Sequence, residues 1–239
     1  MASPDLPAIK KAIDGVASLY GIEVVGFLRL DPTVVIPAGE MELLRGVRWL
    51  DGEVSLGKVQ NPQEIMPGAT SMIILGKRLI DDRHDVYYRV SDQYTASVET
   101  MLLDMASMKV AVLLRGHGFR AEEYTSYYLK VWAVLAGLGW IGRSRMFVSK
   151  DHGPRLRLKA VLTDAGFGEP GRIVPEEMFA EKKCAGCREC IEACPAGAIG
   201  EAEVSRKKCG ACGLNHRPVS EYAWSYCTCC TAACPIGKR

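Results

Sequence analysis

Residues 184–195 read Cys-Ala-Gly-Cys-Arg-Glu-Cys-Ile-Glu-Ala-Cys-Pro, which is a C-x2-C-x2-C-x3-C-P run. This is the bacterial ferredoxin spacing for a [4Fe–4S] cluster, since two-residue gaps allow one tight loop to point three sulfurs at the same cube. In proteins with two such clusters, the fourth cysteine of the run binds the other cluster. The run therefore predicts one cluster and implies a second.

A second cysteine-rich stretch supplies the ligands that the implied cluster needs. Residues 227–235 contain C-x2-C-x3-C-P, and Trp224 stands where a first cysteine would complete the ferredoxin run. The missing ligand must come from upstream, where Cys209 is preferred and Cys212 is the alternative. The first cluster is predicted to take Cys184, Cys187, Cys190 and Cys234, and the second to take Cys194, Cys209, Cys227 and Cys230. Cys212 and Cys229 are left over.

All ten cysteines lie between Cys184 and Cys234, so the chain divides into a cysteine-free part and a cysteine-rich part. A secreted disulfide protein would spread its cysteines through the fold and carry an export signal. A four-cysteine zinc ribbon from Cys209, Cys212, Cys227 and Cys230 is the competing interpretation, but it leaves the first run one ligand short. We predict an α/β (α+β) domain over residues 1–170 and a double [4Fe–4S] domain over residues 171–239.

Composition sets bounds on partners and compartment. The 239 residues carry 30 Lys and Arg against 28 Asp and Glu, a net charge of +2, which gives no electrostatic case for nucleic acid or an acidic membrane. We expect no membrane association, because no apolar run approaches the roughly 20 residues of a membrane span. The N-terminus does not resemble a signal peptide, and the expected localisation is cytoplasmic.

The cysteine-free part mixes helical and strand patterns. Apolar residues predict a helix from residue 5 to Tyr20, a strand over residues 22–28 and a strand covered on both faces over residues 70–76. A further helix is expected over residues 92–115, with its methionines in the core, and another over residues 124–136. Residues 146–149 and 156–163 are predicted to pair as a hairpin.

The segment Gly137-Leu-Gly-Trp-Ile-Gly142 fits the G-x-G-x-x-G pattern of dinucleotide sites. A Rossmann site requires a strand before the glycines and a helix after them, whereas here a helix precedes and a strand follows. NAD binding is therefore not expected. The glycines serve either as a helix cap with a close backbone crossing or as a bare surface for a large flat cofactor.

Several motifs together resemble the epoxyqueuosine reductase family and the related reductive dehalogenases. They are residues 133–144, 153–158, 161–164 and 66–73, with the paired cysteine runs. The resemblance implies a nitroreductase-like domain that binds cobalamin in its base-off state, fused to a double [4Fe–4S] domain that reduces the cobalt. It also implies a corrinoid pocket along Gly137, Gly139, Trp140, Gly142, Arg143 and Ser144.

Two departures from that family affect the expected reaction. Its aspartate proton donor corresponds by position to Glu123, which together with Tyr128 is a candidate catalytic residue. The helical-repeat domain that those enzymes use on tRNA has no counterpart in this sequence, so tRNA is predicted to be an unlikely partner. Arg143, Arg145, Arg155 and Arg157 are either corrinoid-binding groups or exposed charges of the predicted hairpin.

These observations favour an iron–sulfur redox protein that passes electrons to a cofactor or substrate in the α/β domain. The first hypothesis is a cobalamin-dependent reductase or a corrinoid reductant, with a ferredoxin or flavodoxin as electron donor and a corrinoid or corrinoid protein as partner. The alternatives are a non-enzymatic electron carrier that docks a redox partner, and a flavin-dependent reductase.

Overall fold

The computed structural model describes residues 5–30, 62–80, 85–92, 94–125, 129–170, 183–201 and 203–237. Its helices are α1 (Leu6–Leu19), α2 (Pro62–Ile65), α3 (Val98–Gly116), α4 (Leu129–Leu135), α5 (Glu189–Glu192), α6 (Arg206–Gly210) and α7 (Cys229–Ala233). Its strands are β1 (Val24–Arg29), β2 (Ser71–Arg78), β3 (Asp85–Arg89), β4 (Thr95–Ala96), β5 (Ala121–Tyr124), β6 (Gly139–Ile141), β7 (Phe147–Ser149), β8 (Leu156–Thr163), β9 (Glu169–Pro170), β10 (Arg217–Ser220) and β11 (Ala223–Tyr226).

A five-stranded sheet in the order β5-β8-β2-β1-β9 forms the centre of the fold. Its pairs are antiparallel except for β1 with β9. Because successive side chains of a strand alternate between faces, Met72 and Ile74 enter one core while Ile73 and Leu75 enter another. The strand predicted over residues 70–76 is thus confirmed as a strand buried on both faces.

Helices cover the two faces of this sheet and give a mixed α/β fold. One face packs against α1 and α3, and the other against α4 and Met66. Helix α1 begins where the Asp5 carboxylate accepts a hydrogen bond from the Ala8 amide at 3.1 Å, which satisfies one free N–H of the first turn. The helices predicted over residues 5–20 and 92–115 are confirmed, with boundaries shifted by a few residues in α3.

The cysteine-rich segment is joined to the rest of the chain through a second sheet. This sheet has the order β10-β11-β3-β4, so the β10–β11 hairpin of the C-terminal segment pairs with β3 of the N-terminal part. The side chain of Arg157 on β8 forms an ion pair with Asp85 on β3 and so links the two sheets. The boundary expected near residue 170 falls beside residues 171–182, which are outside the described residues.

One local prediction holds in part and another was wrong. The helix expected over residues 124–136 is confirmed over α4, but Tyr124 pairs with β8 as the last residue of strand β5, and residues 126–128 lie outside the described residues. The hairpin expected between β7 and β8 does not form: β7 pairs with β6, while β8 pairs with β2 and β5. Strand propensity identified the strands, but pairing partners depend on which buried surfaces meet.

No helix within the described ranges is both long and apolar enough to cross a lipid bilayer.

Candidate metal centre

The cysteines lie on loops and on short helices. Helix α5 lies within the first run and carries Cys190, α7 lies within the second run and carries Cys229 and Cys230, and the two helices pack against each other. Gly186, with φ +71°, allows the tight turn in which the Cys187 amide donates to the Cys184 carbonyl at 3.1 Å. This turn precedes α5, so the first three cysteines of the run lie on one short stretch of backbone.

Four thiols from distant parts of the sequence form the first group. Burial raises the pKa of Cys190, and the charges of Cys184, Cys187 and Cys234 raise it further. Burial likewise raises the pKa of Cys234, on which the Cys184 and Cys187 charges also act, while Arg155 opposes them. Because such charge interactions require short distances, Cys234 lies in the neighbourhood of the first cysteine run.

A second group forms around Cys230. Burial raises the pKa of Cys230 to about 12, and the charges of Cys227, Cys209, Cys190 and Cys194 add to the effect in that order. Burial also raises the pKa of Cys209, again with a contribution from Cys194. Because Cys230 interacts with Cys190 as well, the two groups adjoin each other.

The spare thiols lie at the edge of the second group. Burial raises the pKa of Cys227 to about 12, and the side chain of Cys229 and the charge of Cys212 contribute to that rise. The charge of Cys194 raises the pKa of Cys209, and the charge of Cys209 raises the pKa of Cys230. The charge of Cys212 raises the pKa values of Cys209 and Cys227.

Asn215 ties two members of the second group together. Its Nδ2 donates to the Cys209 carbonyl, and its Oδ1 accepts from the Cys227 amide at 2.9 Å. One side chain thus sets the separation between backbone positions that are far apart in sequence. Sequence reasoning missed this residue because an asparagine in a loop carries no spacing signal.

The donor set suits iron–sulfur clusters. Each iron of a [4Fe–4S] cube takes one thiolate, so the four sulfurs surround a cluster instead of one ion. Crowded thiolates repel one another, and a cationic iron core relieves that repulsion. Across the part of the chain that the structure covers, no three His, Cys, Asp or Glu side chains converge on a single-ion site.

The first thiol group lies against the Gly137–Ser144 segment. Trp140 and Val148 pack with Cys184 and Ile236, and the Lys183 ammonium sits 4.2 Å from the centre of the Trp140 ring. Arg143 donates from Nη2 to the Cys184 carbonyl at 3.1 Å and forms an ion pair with Glu201. Two predicted cofactor-binding residues, Trp140 and Arg143, therefore contact the cysteine-rich segment.

The glycines of this segment serve different purposes. A Cβ on Gly139 would lie 2.1 Å from the Val148 carbonyl oxygen, and one on Gly142 would lie 2.8 Å from a Val148 methyl, so both allow a close approach to β7. Gly137 has φ +72° and a Cβ there would meet nothing within 4 Å. Of the three glycines, only Gly137 has open space beside its Cα.

One buried hydrogen-bond donor on the helix before Gly137 has no partner within the described residues. The indole N–H of Trp132, one turn before Gly137, is buried and has no acceptor among the described residues. Further along the chain, Ser144 is partly exposed and Met146 is 40% exposed. The indole N–H of Trp132 is a donor of the kind that the peripheral amides of a corrinoid would accept from, whereas Gly139 and Gly142 pack against β7 and offer no bare surface.

The structure does not bring Glu123 to this segment. Glu123 lies on β5, where Oε1 accepts from Ser107 at 2.9 Å and Oε2 is 3.6 Å from the Lys159 ammonium. These contacts are with α3 and β8, on the face of the sheet opposite α4 and Gly137. Tyr128 lies outside the described residues.

The expectation of exposed hairpin charges was wrong for Arg143, Arg155 and Arg157, because each of them contacts another part of the chain. Arg157 is paired with Asp85, and Arg155 is 1% exposed and directed at the C-terminal segment. Sequence reasoning gave Arg155 no structural role, because its partners lie about 80 residues away in the chain.

Comparison with known proteins agrees with this chemistry. A family model described as a 4Fe-4S binding domain matches residues 179–200. An epoxyqueuosine reductase of Synechocystis is 35% identical over 200 residues, covering 73% of this chain and 65% of the relative. A tetrachloroethene reductive dehalogenase of Desulfitobacterium hafniense is 30% identical over 164 residues, covering 60% of this chain and 29% of the relative. The chain thus spans less than two thirds of each of these relatives.

Solved structures show the same fold at lower identity. An epoxyqueuosine reductase solved with an epoxyqueuosine-modified tRNA stem loop superposes with a TM-score of 0.65 at 17% identity, covering 98% of this chain and 66% of the other. A reductive dehalogenase whose structure suggests a mechanism for B12-dependent dehalogenation superposes with a TM-score of 0.60 at 17% identity, covering 96% and 32%.

The expectation that tRNA is an unlikely partner, which rested on the net charge and on the missing helical-repeat domain, was wrong. A protein of this fold has been solved with a tRNA stem loop, and relatives by sequence are epoxyqueuosine reductases. The physical reason is that net charge is a sum over the whole chain, whereas binding depends on local fields. Here residues 204–220 carry Arg206, Lys207, Lys208 and Arg217 and no acidic residue.

Proposed function

We propose that this chain is an oxidoreductase with two [4Fe–4S] clusters. The chain belongs to the family of epoxyqueuosine reductase-like and reductive dehalogenase-like iron–sulfur proteins. The first cluster takes Cys184, Cys187, Cys190 and Cys234, and the second takes Cys194, Cys209, Cys227 and Cys230. The observation that carries this proposal is the grouping of the thiols, since Cys190 interacts with the other three of the first set and Cys230 with the other three of the second.

The proposed path of electrons follows from which cluster contacts the α/β part. A [4Fe–4S] cluster supplies one-electron transfer at low potential. Trp140 and Arg143 contact the backbone and side chain of Cys184, so the first cluster lies next to the Gly137–Ser144 segment. Cys209 is an exposed ligand of the second cluster. Electrons therefore enter through the second cluster and leave through the first.

We further propose a corrinoid as the electron acceptor, held by a nitroreductase-like α/β part. When bound, a corrinoid supplies a cobalt centre that accepts electrons and reduces substrate. Support comes from the open space beside the Gly137 Cα, from the buried indole N–H of Trp132 and from the B12-dependent dehalogenase of the same fold. The residues assigned to it are Gly137, Trp132 and Ser144, while Trp140 and Arg143 face the first cluster.

Cysteine variants test the two-cluster assignment. Anaerobically purified protein is expected to contain about eight irons per chain. The C209S variant should fall to about four, because the second cluster loses a ligand, whereas the matched C212S variant should keep about eight. Iron and sulfide analysis with spin quantification by electron paramagnetic resonance measures both. Equal losses in the two variants, or zinc in place of iron, would refute the assignment.

A cobalamin titration tests the acceptor. Adding cobalamin to the anaerobic protein should produce a saturable change in the corrinoid absorption bands, and a Trp132→Phe variant should bind more weakly than Trp224→Phe. If the wild-type protein shows only iron–sulfur absorption and no saturable change, the electron-carrier function replaces the reductase. Copurified flavin would favour the flavin-dependent alternative.

A further inference from the structure

Arg155 reaches from the start of β8 into the chain around Cys234. Its side chain is 1% exposed. Nη1 donates to the Ile236 carbonyl at 2.8 Å, and Nη2 donates to the Cys234 carbonyl at 2.8 Å and the Ala232 carbonyl at 3.2 Å. Burying a guanidinium is costly unless its donors are satisfied, and here three of its hydrogen bonds go to carbonyls on and beside one cysteine.

The backbones on either side of these hydrogen bonds touch each other. Gly153 has φ +60°, and a Cβ there would lie 1.9 Å from the Ile236 carbonyl oxygen. Gly237 has φ +72°, and a Cβ there would lie 2.2 Å from the His152 carbonyl carbon. The backbone of the turn before Arg155 therefore packs directly against the backbone after Cys234, with no room for a side chain between them. Arg155 lies beside this close contact.

Cys234 needs such support more than the other members of its group. Cys184, Cys187 and Cys190 lie within seven consecutive residues, whereas Cys234 lies at the end of α7, more than forty residues after Cys190. Nothing in the local spacing sets the distance of Cys234 from these three residues. The three hydrogen bonds from Arg155 hold the carbonyls on both sides of it against the central fold.

The charge of Arg155 also matches the group it supports. A [4Fe–4S] cluster with four thiolates carries a net charge of about −2 when oxidised and gains one more negative charge on reduction. A guanidinium that hydrogen-bonds a ligand's own carbonyl favours the more negative state, because the interaction grows with the charge of the cluster.

We propose that Arg155 is the positioning residue of the first cluster, holding Cys234 at ligand distance and raising the reduction potential of that cluster. This inference rests on the proposed two-cluster function. The redox step it modulates is the uptake of one electron from a reductant by the cluster, with no bond made or broken. Arg155 does not touch a substrate and acts only through Cys234.

Arg157 offers a matched control. It lies two residues further along the chain and is also largely buried, but it is paired with Asp85 instead of the Cys234 segment. The R155M variant should fall from about eight irons per chain to about four, or keep its iron while the midpoint potential of one cluster becomes more negative. The R157M variant should keep about eight irons and both potentials. Dithionite titration followed by electron paramagnetic resonance separates the two clusters.

A conservative variant covers the case in which R155M does not fold. The R155K variant keeps the charge but cannot hold three carbonyls in the same geometry, so iron loss to a chelator should be several-fold faster than in wild type and R157K. The inference is overturned if R155M keeps both clusters at wild-type potentials, or if the R155K and R157K proteins lose iron equally fast. A wild-type protein with fewer than two clusters would instead refute the proposed function.

Discussion

At the scale of one residue, the partly buried amine of Lys130 on α4 affects the stability of the fold. Its ammonium donates to the Arg145 carbonyl at 3.0 Å, and Arg145 has φ +61°, which is uncommon for a residue with a side chain. Burial, with a smaller contribution from the charge of Arg145, lowers the pKa of Lys130 from 10.5 to about 8. Near neutral pH the protein therefore carries a partly buried charge that opposes folding.

The pH dependence of this group has a definite sign. Below about pH 8 the amine is protonated in both states, and between about pH 8 and 10.5 the folded state releases the proton first. The free energy of unfolding should therefore rise in this range by up to about 1.4 kcal/mol per pH unit in wild type relative to K130M. Anaerobic urea unfolding at pH 7 and 9.5 measures the difference. The exposed Lys150, changed to Met, should leave the pH dependence as in wild type, and a K130M protein that behaves like K150M would contradict the prediction.

At the scale of an element, α3 carries apolar side chains on two opposite faces. Its inner face buries Leu103, Val110 and Leu114. Its outer face exposes Met105 by 47%, Met108 by 54% and Val112 by 54%. The expectation that the methionines fill the core was wrong, because helical spacing identifies a face without saying which of two apolar faces meets the sheet.

Substitutions on the two faces of α3 should differ sharply. Met108→Lys places a charge in solvent and should change the free energy of unfolding by less than about 0.5 kcal/mol. Val110→Lys buries an unpaired ammonium in the core between α3 and the sheet and should cost about 3 kcal/mol or more. Thermal unfolding of the two variants beside wild type compares them. Similar melting temperatures would mean that the two faces are assigned incorrectly.

On the scale of the whole molecule, the two parts of the chain depend on iron to different extents. The central sheet and its two cores contain no cysteine among their buried residues. The C-terminal segment has short helices, and most of its buried residues are small. Its order should therefore come largely from cluster ligation, as in other small metal-bound domains.

Removal of the clusters should loosen one part selectively. After anaerobic treatment with oxidant and chelator, amide hydrogen exchange should accelerate across residues 183–237 and in β3, which pairs with β11. Strands β2 and β8 should keep their protection, because their hydrogen bonds and burial involve no ligand. Hydrogen exchange followed by mass spectrometry resolves these segments. Uniform loss of protection would show that the chain unfolds as one cooperative unit.

Local spacing was sufficient to identify the iron–sulfur chemistry, the doubly buried strand β2 and the reversed order of elements around Gly137–Gly142. Each of these depends on residues within about a dozen positions, where backbone geometry links spacing to shape. The order of elements expected around these glycines is confirmed, since α4 precedes them and β6 begins among them.

Contacts between distant segments had no such signal. Three contacts join residues that are far apart in sequence. Strand β3 pairs with β11, Glu123 accepts a hydrogen bond from Ser107, and Arg155 donates to the carbonyl of Cys234. Which distant surfaces meet depends on the free energy of packing the entire chain, and no short stretch of sequence encodes that choice. The ligands of iron could therefore be found in the sequence, whereas the groups that hold those ligands in place emerged only when the chain was seen folded.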